Sequence, residues 1–427
     1  MNAKAIGVGL IGFGNIGAGV VAALHANRQD IERRLARPLR LARIADKDTT
    51  TRRETAGFDY TAILTDDAGA VLEGRDVDVV VELVGGYEPA RTLVERALKA
   101  GKHVVTANKA MLSKFGPALM ATARAHKVQL LFEASVGGGI PIIRALQQGL
   151  AANRFRAIYG IVNGTTNYIL TQMAREGASF DKALKEAQAK GYAEPDPTFD
   201  VEGVDTAQKT AILGWLAFGT PPGHDAVHVE GITRIRPEDL IFAEENGFAI
   251  KLLGIVRREA DGGVELRAHP ALVPRRSMLA GVEGVYNAIV VDGEPIGQTF
   301  FFGRGAGRDA TSSAVLSDVM ALADGIASGG LDRESRLLRG DGDGPPPRLV
   351  PMGRIEEACC LRSREGKGAG EAMLAALKRA GVAIKFQRAY HNGATHVLTA
   401  PVRGDALDAA LASLGGEPPL VLRVVEV

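Results

Sequence analysis

The sequence predicts an α/β chain: an open, doubly wound parallel sheet first, a mixed α+β region next, and a small ferredoxin-like βαββαβ unit at the end. Three observations carry this. Strand-like and helix-like segments alternate through residues 1–135, the pattern that builds a parallel sheet with helices on both faces. A glycine-rich turn, GFGNIG, joins the first strand to the first helix. Behind a Gly/Pro-rich stretch at 329–350, residues 351–427 read strand, helix, strand, strand, helix, strand.

Residues 5–11 alternate small and β-branched side chains and stop at Gly12, which suits a buried strand feeding a tight turn. Residues 16–27 carry apolar positions at helical spacing, and 40–45 form a second strand closing on Asp46. Strands at 77–83, 103–106 and 128–133 follow, separated by helices over 89–100 and from about Lys114. Beyond Ser135 the texture changes. A helix over 141–152, a strand at 157–162 and helices over 167–175 and 180–190 lead to an acidic loop and a helix carrying Asp205 and Lys209. Segments 249–257, 263–268 and 286–291 suggest a second sheet, giving a domain over 136–328. In the tail, strands are expected at 357–363, 382–389, 394–400 and 420–426, and helices at 370–380 and 405–414.

A chain of 427 residues exceeds what one ordinary core organises and suits two or three domains. With 46% hydrophobic and 24% charged residues it reads as soluble and globular. Its 51 basic residues against 50 acidic ones leave no footprint for nucleic acid or an anionic membrane, so a small-molecule ligand fits better. Apolar runs such as 77–86 stop short of the roughly 20 residues a membrane helix needs. The amino terminus runs into a strand without a signal-like leader, and a cytoplasmic location is expected. Cys359 and Cys360 are adjacent, which rarely satisfies disulfide geometry and fits a reducing compartment.

The three glycines of GFGNIG have separate physical tasks. Gly12 permits the turn, Gly14 lets backbone approach a pyrophosphate, and Gly17 packs helix against strand, with Phe13, Asn15 and Ile16 completing the loop. Phosphate then rests on the helix amino terminus, where unpaired amides and the dipole favour negative charge. Among 52 glycines this spacing also arises by chance, and the flanking strand and helix are what favour a Rossmann-type dinucleotide site. Asp46 would accept bonds from the adenine-ribose 2′-hydroxyl of NAD, whereas Lys47, Arg52 and Arg53 would suit the 2′-phosphate of NADP. Both cofactors stay admissible. VELVGG brings Gly85 and Gly86 to the sheet's carboxyl edge, where the nicotinamide half would lie, and Lys109 in TANK is placed to bridge cofactor and substrate.

Asp205 and Lys209 are four apart and share a helix face. Such a pair is ordinarily an exposed ion pair worth about 0.3–0.5 kcal/mol. Here Glu194, Asp196, Asp200 and Glu202 crowd the preceding loop, a density of acids that calls for cations or amino groups. An amino-acid substrate brings an ammonium. Lys209 is then expected to exchange a proton with a carbonyl or alkoxide oxygen while hydride moves on the cofactor, with Asp205 orienting it or holding substrate. His25, His103 and His126 have no partner in these segments and read as surface or packing residues.

The segments GFGNIG, VVVELVGGYEPA, GKHVVTANKAML, FEASVGGGIPII, GIVNGTTNYIL, GYAEPDPTFDVEGVDTAQK and FGRGAGRDATSSAVLSDV resemble homoserine dehydrogenase over about residues 5–325. The resemblance implies reversible reduction of L-aspartate 4-semialdehyde to L-homoserine with NADPH or NADH, on the route to threonine, methionine and isoleucine. It implies Lys209 as the acid/base, Asp205 beside it, Glu194 gripping the substrate amino group, Asp200 nearby and Lys109 at the cofactor junction. It also implies a returning segment near 305–328 that completes the first domain, with Gly307 as a cofactor contact. The loop EASVGGGIP would hold sodium through the backbone carbonyls of Glu133, Val136, Gly138 and Ile140, oxygen donors that suit a hard cation. A homodimer or higher homo-oligomer is implied. The tail is similar in strand order to an ACT regulatory domain, for which threonine would be the effector, but REGKGAG replaces the expected DxPG turn.

Three other readings compete. An acylating aspartate-semialdehyde dehydrogenase needs a thiolate, and both thiols lie in the tail. An inositol-type dehydrogenase of another small hydroxy compound would not carry the acidic loop. A non-catalytic NAD(P)-binding regulator would bind cofactor without turnover.

Overall fold

Six parallel strands form the first sheet in the order Leu64–Thr65, Leu39–Ala45, Ile6–Ile11, Val79–Glu82, His103–Thr106 and Leu130–Leu131. The chain therefore reverses direction across the sheet beside Ile6–Ile11. That reversal opens a crevice at the carboxyl ends of Ile6–Ile11 and Val79–Glu82. Both faces are covered, which is why these strands read as unbroken apolar runs: all of Ile6–Ile11 and Val79–Glu82 is buried.

The computed structural model describes residues 4–220, 223–330 and 346–427. Of the linker expected over 329–350, residues 331–345 lie outside the described residues. Contacts divide the chain into two units, one of Met1–Arg154, Ala211–His224 and Phe301–Pro346, the other of Phe155–Thr210, Asp225–Phe300 and Pro347–Val427.

In the first unit, helix Arg308–Ser328 returns late in the chain and packs Val315, Val319 and Leu322 into the core that holds Val8, Leu10 and Val20. Gly19 permits this approach, because a Cβ there would lie 2.5 Å from the Ser312 hydroxyl. The single helix expected over 141–152 is instead a short turn, Ile142–Arg144, running into a π-helical turn, Ala145–Gly149, in which the Leu150 amide reaches the Ala145 carbonyl at 2.7 Å.

A ten-stranded sheet organises the second unit around the long hairpin of Phe248–Arg258 and Val264–Pro274. The edge strand Gly297–Arg304, of which Gly297–Phe300 belongs to this unit, was not legible, because three consecutive phenylalanines obscure the alternation of a half-exposed strand. The tail strands Leu420–Val424, Cys359–Arg362, Thr395–Thr399 and Ile384–Ala389 are neighbours in that order and pair antiparallel, with helices Ala369–Arg379 and Gly404–Leu411 between them in sequence. Composition suggested a small domain standing behind a linker. Instead, Leu420–Val424 also pairs in parallel with Val264–Pro274, and Cys360, Leu422 and Val424 join one core with Ile169, Ile250, Leu252 and Leu272. Among the described residues no helix is long and apolar enough to cross a membrane.

Candidate active site

In the first unit, the glycine loop turns tightly between strand and helix. Gly12 has φ +97°, and a Cβ there would lie 2.6 Å from the Leu83 carbonyl carbon; at Gly17 it would lie 2.3 Å from the Gly12 oxygen. Gly14 differs. A Cβ on it would meet nothing within 4 Å, and it stands as the N-cap of helix Asn15–Ala26 with no side-chain cap, so open space lies over the helix amino terminus. Asn15 is exposed and Ile16 half-buried on the first turn.

Phe13 points inward. Its ring is fully buried, edge-on to Tyr60 at 4.8 Å between centroids, with the Arg53 guanidinium 5.4 Å from its centroid. Its amide donates to Asp46 Oδ2 at 2.5 Å, and Arg53 Nε donates to its carbonyl at 2.9 Å. Asp46 Oδ1 also accepts the Asp48 amide at 2.9 Å and lies 3.7 Å from Arg53 Nη2. The two signals that opposed each other in the sequence, Asp46 and Arg53, are thus partners in one clamp on the loop. Lys47 and Arg52 are exposed.

VELVGG and TANK are cross-tied. Glu82, fully buried, accepts the amides of Val84 and Gly85 at 2.7 and 3.2 Å and the Thr106 hydroxyl at 2.6 Å. Asn108 caps the helix Lys109–Ala125 and donates to the Gly86 carbonyl at 2.8 Å. Gly85 and Gly86, at φ +79° and +68°, make the turn that these bonds hold. Lys109 is half-buried on the helix's first position, and Gly307, at φ +105°, caps Arg308–Ser328.

In the EASVGGGIP loop, the Glu133 carboxylate accepts the amides of Ile143 and Arg144, each at 2.8 Å, while the Glu133 amide donates to Asp318 Oδ2 at 2.7 Å. Arg144 Nη2 reaches Asp318 Oδ1 at 2.9 Å. Burial raises the Glu133 carboxyl and pushes Asp318 up to about 7. Gly138, at φ +53°, passes so close to Gly305 that a Cβ would lie 2.5 Å from its carbonyl, and the Ile140 carbonyl accepts the Ile142 amide at 2.8 Å; Val136 is fully buried.

The second unit holds the acid and lysine cluster. Helix Val204–Phe218 places Asp205 and Lys209 one turn apart, 2% and 7% exposed, so this is not a surface pair. Lys209 Nζ donates to Asp205 Oδ2 at 2.7 Å and to the Val162 carbonyl at 2.6 Å. Asn163 Nδ2 donates to that same Asp205 oxygen at 2.8 Å and to Asp200 Oδ1 at 2.7 Å. Asn163 is itself fixed, because its Oδ1 caps the helix Gly164–Glu176 through the Thr166 amide at 2.8 Å. The result is a chain of polar groups from Asp200 through Asn163 and Asp205 to Lys209.

Of the expected substrate residues, Asp200, Asp205 and Lys209 are brought together. Glu194 is exposed on the loop, its main-chain carbonyl accepting from Gln188 at 3.1 Å. Asp196 accepts the Thr198 amide and Glu202 the Thr233 hydroxyl, so part of the acid density shapes the loop and ties it to the segment at Thr233. Asn163 was missed. Its signal was available: an Asn between a strand and a helix in VNGTTN is an N-cap whose amide nitrogen stays available for an acid.

Residues 141–320 match the family model described as homoserine dehydrogenase, and residues 12–133 match its NAD-binding domain. The chain is 42% identical over 359 residues to a homoserine dehydrogenase of Neisseria gonorrhoeae, covering 84% of this chain and 82% of that one. It is likewise 42% identical to that of Pseudomonas aeruginosa, with the same two shares. The crystal structure of a homoserine dehydrogenase from Thiobacillus denitrificans superposes with a TM-score of 0.91 at 39% identity, covering 99% of each chain. A hyperthermophilic archaeal homoserine dehydrogenase in complex with NADPH matches with a TM-score of 0.64 at 25% identity, over 75% of this chain and 98% of that one.

Proposed function

The chain belongs to the homoserine dehydrogenase family and catalyses the NAD(P)-dependent interconversion of L-homoserine and L-aspartate 4-semialdehyde; on that premise we propose that Lys209 is its general acid/base. The observation that supports the assignment is the chain from half-buried Asp200 through buried Asn163 and Asp205 to Lys209. The nicotinamide supplies or removes the hydride. For each hydride that reaches the aldehyde carbon, one proton must reach its oxygen, and Lys209 Nζ delivers it; in the oxidative direction the same nitrogen takes it from the hydroxyl. Asp205 and the Val162 carbonyl orient the amine, and Asn163 ties Asp205 to Asp200, so that a substrate ammonium meets a fixed pair of acids. Glu194, exposed in the same loop, is assigned the grip on that ammonium, and Lys109 the cofactor junction.

Gly12, Phe13, Gly14, Asn15, Ile16 and Gly17 are proposed to carry the pyrophosphate, with Gly85 and Gly307 as further contacts. Asp46 and exposed Lys47 bracket the adenine ribose, and use of both cofactors is the expected outcome. The Glu133, Val136, Gly138 and Ile140 carbonyls are proposed to hold sodium, oxygen atoms being the donors such an ion selects. Residues 351–427 are proposed to be an ACT-like module, from the strand order 4-1-3-2 of a βαββαβ sheet, with subunit contact in a homodimer as its role; REGKGAG lacks the turn expected of a threonine site. Homoserine oxidation by the purified chain, assayed with each cofactor, with and without sodium and threonine, tests these assignments together. Cofactor binding without turnover would favour a regulator instead.

A further inference from the structure

A cavity of about 460 Å³ in the second unit is lined by Arg234, Arg236, Arg362, Arg364, Glu365 and Glu417, of which Arg364 and Glu365 open the REGKGAG segment. Four guanidinium groups face two carboxylates. Arg362 is 6% exposed, and its position is fixed from below. Its Nε donates to Asp239 Oδ1 at 2.8 Å and its Nη2 to the Arg234 carbonyl at 2.7 Å, leaving its other terminal nitrogen uncommitted among the described residues. Asp239, 1% exposed, also contacts His396 Nε2 at 2.7 Å and accepts the Arg236 amide at 2.8 Å. The floor is therefore preorganised. The carboxylates at the mouth are not, since Glu365 and Glu417 are 52% and 71% exposed, and solvated pairs of that kind exchange partners at little cost. Arg364 is exposed and carries no ion pair among the described residues.

Forked, permanently charged donors on a half-enclosed cavity select oxyanions that accept from several guanidinium groups at once. An amino acid fits poorly. The one buried acid beneath the cavity, Asp239, is already committed, and an ammonium would face the arginines.

The same wall reaches the candidate catalytic segment. The Ile232 amide donates to the Val201 carbonyl at 2.8 Å, and the Thr233 hydroxyl to Glu202 at 3.1 Å, both on the loop that enters the helix of Asp205 and Lys209. Gly231 lies so close that a Cβ would sit 2.5 Å from the Val201 oxygen. Residues 231–236 thus touch the acidic loop at one end and supply two cavity arginines at the other.

We propose that this cavity binds a small multivalent oxyanion, a dicarboxylate or a phosphate-bearing metabolite, and that its occupancy alters homoserine turnover through residues 231–236. The kinetic half rests on the assignment of Lys209 and Asp205; the binding half does not. The test is calorimetric titration of the full chain with pyrophosphate, succinate and threonine, with and without saturating NADP, paired with homoserine kinetics. Pyrophosphate or succinate should bind once per chain in the presence of NADP, and whichever binds identifies the source. Threonine should not displace it. Arg364→Glu, at an exposed position, should weaken the binding about tenfold or more while leaving turnover without anion unchanged. Thr233→Val should retain binding and lose the effect on the homoserine KM. Absence of NADP-insensitive binding, binding indifferent to Arg364→Glu, or binding that leaves homoserine kinetics unchanged would each overturn the proposal.

Discussion

Arg267 and Glu357 stand 90 residues apart and meet as a two-point ion pair at 2.7 and 2.8 Å. Arg267 is 1% exposed and Glu357 8%, and Glu265 adds a third contact at 2.8 Å. One partner lies on the central hairpin, the other at the entrance to the tail. Charges buried this deeply hold a geometry rather than add net stability, and each becomes expensive once its partner is lost. Together with the shared core, the pair makes the tail part of the second unit's packing.

Glu357→Gln is therefore expected to cost about 3–5 kcal/mol, the range for removing one member of a buried pair. Scanning calorimetry should show the whole second unit destabilised in one transition. An early, separate melting of residues 351–427 would mean that the tail is independent. Truncation before the tail should yield aggregated protein, because Ile250, Leu252 and Leu272 lose the cover of Leu422 and Val424.

Two glycines of one loop should respond in opposite ways. Gly14→Ala places its methyl in open space where phosphate is expected, so NADPH affinity should fall while the melting temperature barely moves. Gly17→Ala drives a methyl into the Gly12 carbonyl, and a loss of about 1–3 kcal/mol in stability is expected. Fluorescence titration and thermal melting separate the two, and equal loss of stability in both would remove Gly14 from the phosphate site.

The first sheet was legible because a parallel sheet buried on both faces writes itself as apolar runs ending in Gly12 and Gly85. The pairing of Asp205 with Lys209 was legible from helical spacing, but its burial was not, since spacing says nothing of what packs over a face. Asn163 was legible as an N-cap, but its tie to the two acids was not, because they are 37 and 42 residues away. The union of tail and second sheet escaped for the same reason: the register of Ala271 with Arg423 is a tertiary fact that no local pattern encodes.

The Glu133 and Asp318 cluster should leave a signature in stability against pH. Burial holds Asp318 protonated up to about 7, above its ordinary value of 3.8, so the folded chain binds this proton more tightly than the unfolded one. Stability then falls as pH rises through that window, by up to about 4 kcal/mol at ~1.4 kcal/mol per unit, and levels off above it. Glu133, also raised by burial, acts in the same direction. Asp318→Asn should flatten the decline in urea midpoint between about pH 5 and 7.5. An unchanged slope would show that the carboxyl ionises in the folded state without penalty.

Lys209 offers the sharpest test of the chemistry. Lys209→Met keeps the length of the side chain and removes the proton, and homoserine oxidation at saturating substrate should fall by about 10²–10⁴-fold. NADPH titration should be unaffected, because the glycine loop proposed to hold its pyrophosphate is built from other residues. Lys209→Arg retains the charge, but a guanidinium holds its proton too tightly to pass it to the substrate oxygen, so it should not rescue turnover. Asn163→Ala leaves Lys209 in place yet frees Asp205 from Asp200, and should raise the homoserine KM with a smaller loss in kcat. Restored turnover in Lys209→Arg would reduce Lys209 to a fixed positive charge, and an unaltered KM in Asn163→Ala would show that the two acids do not act on the substrate as a pair.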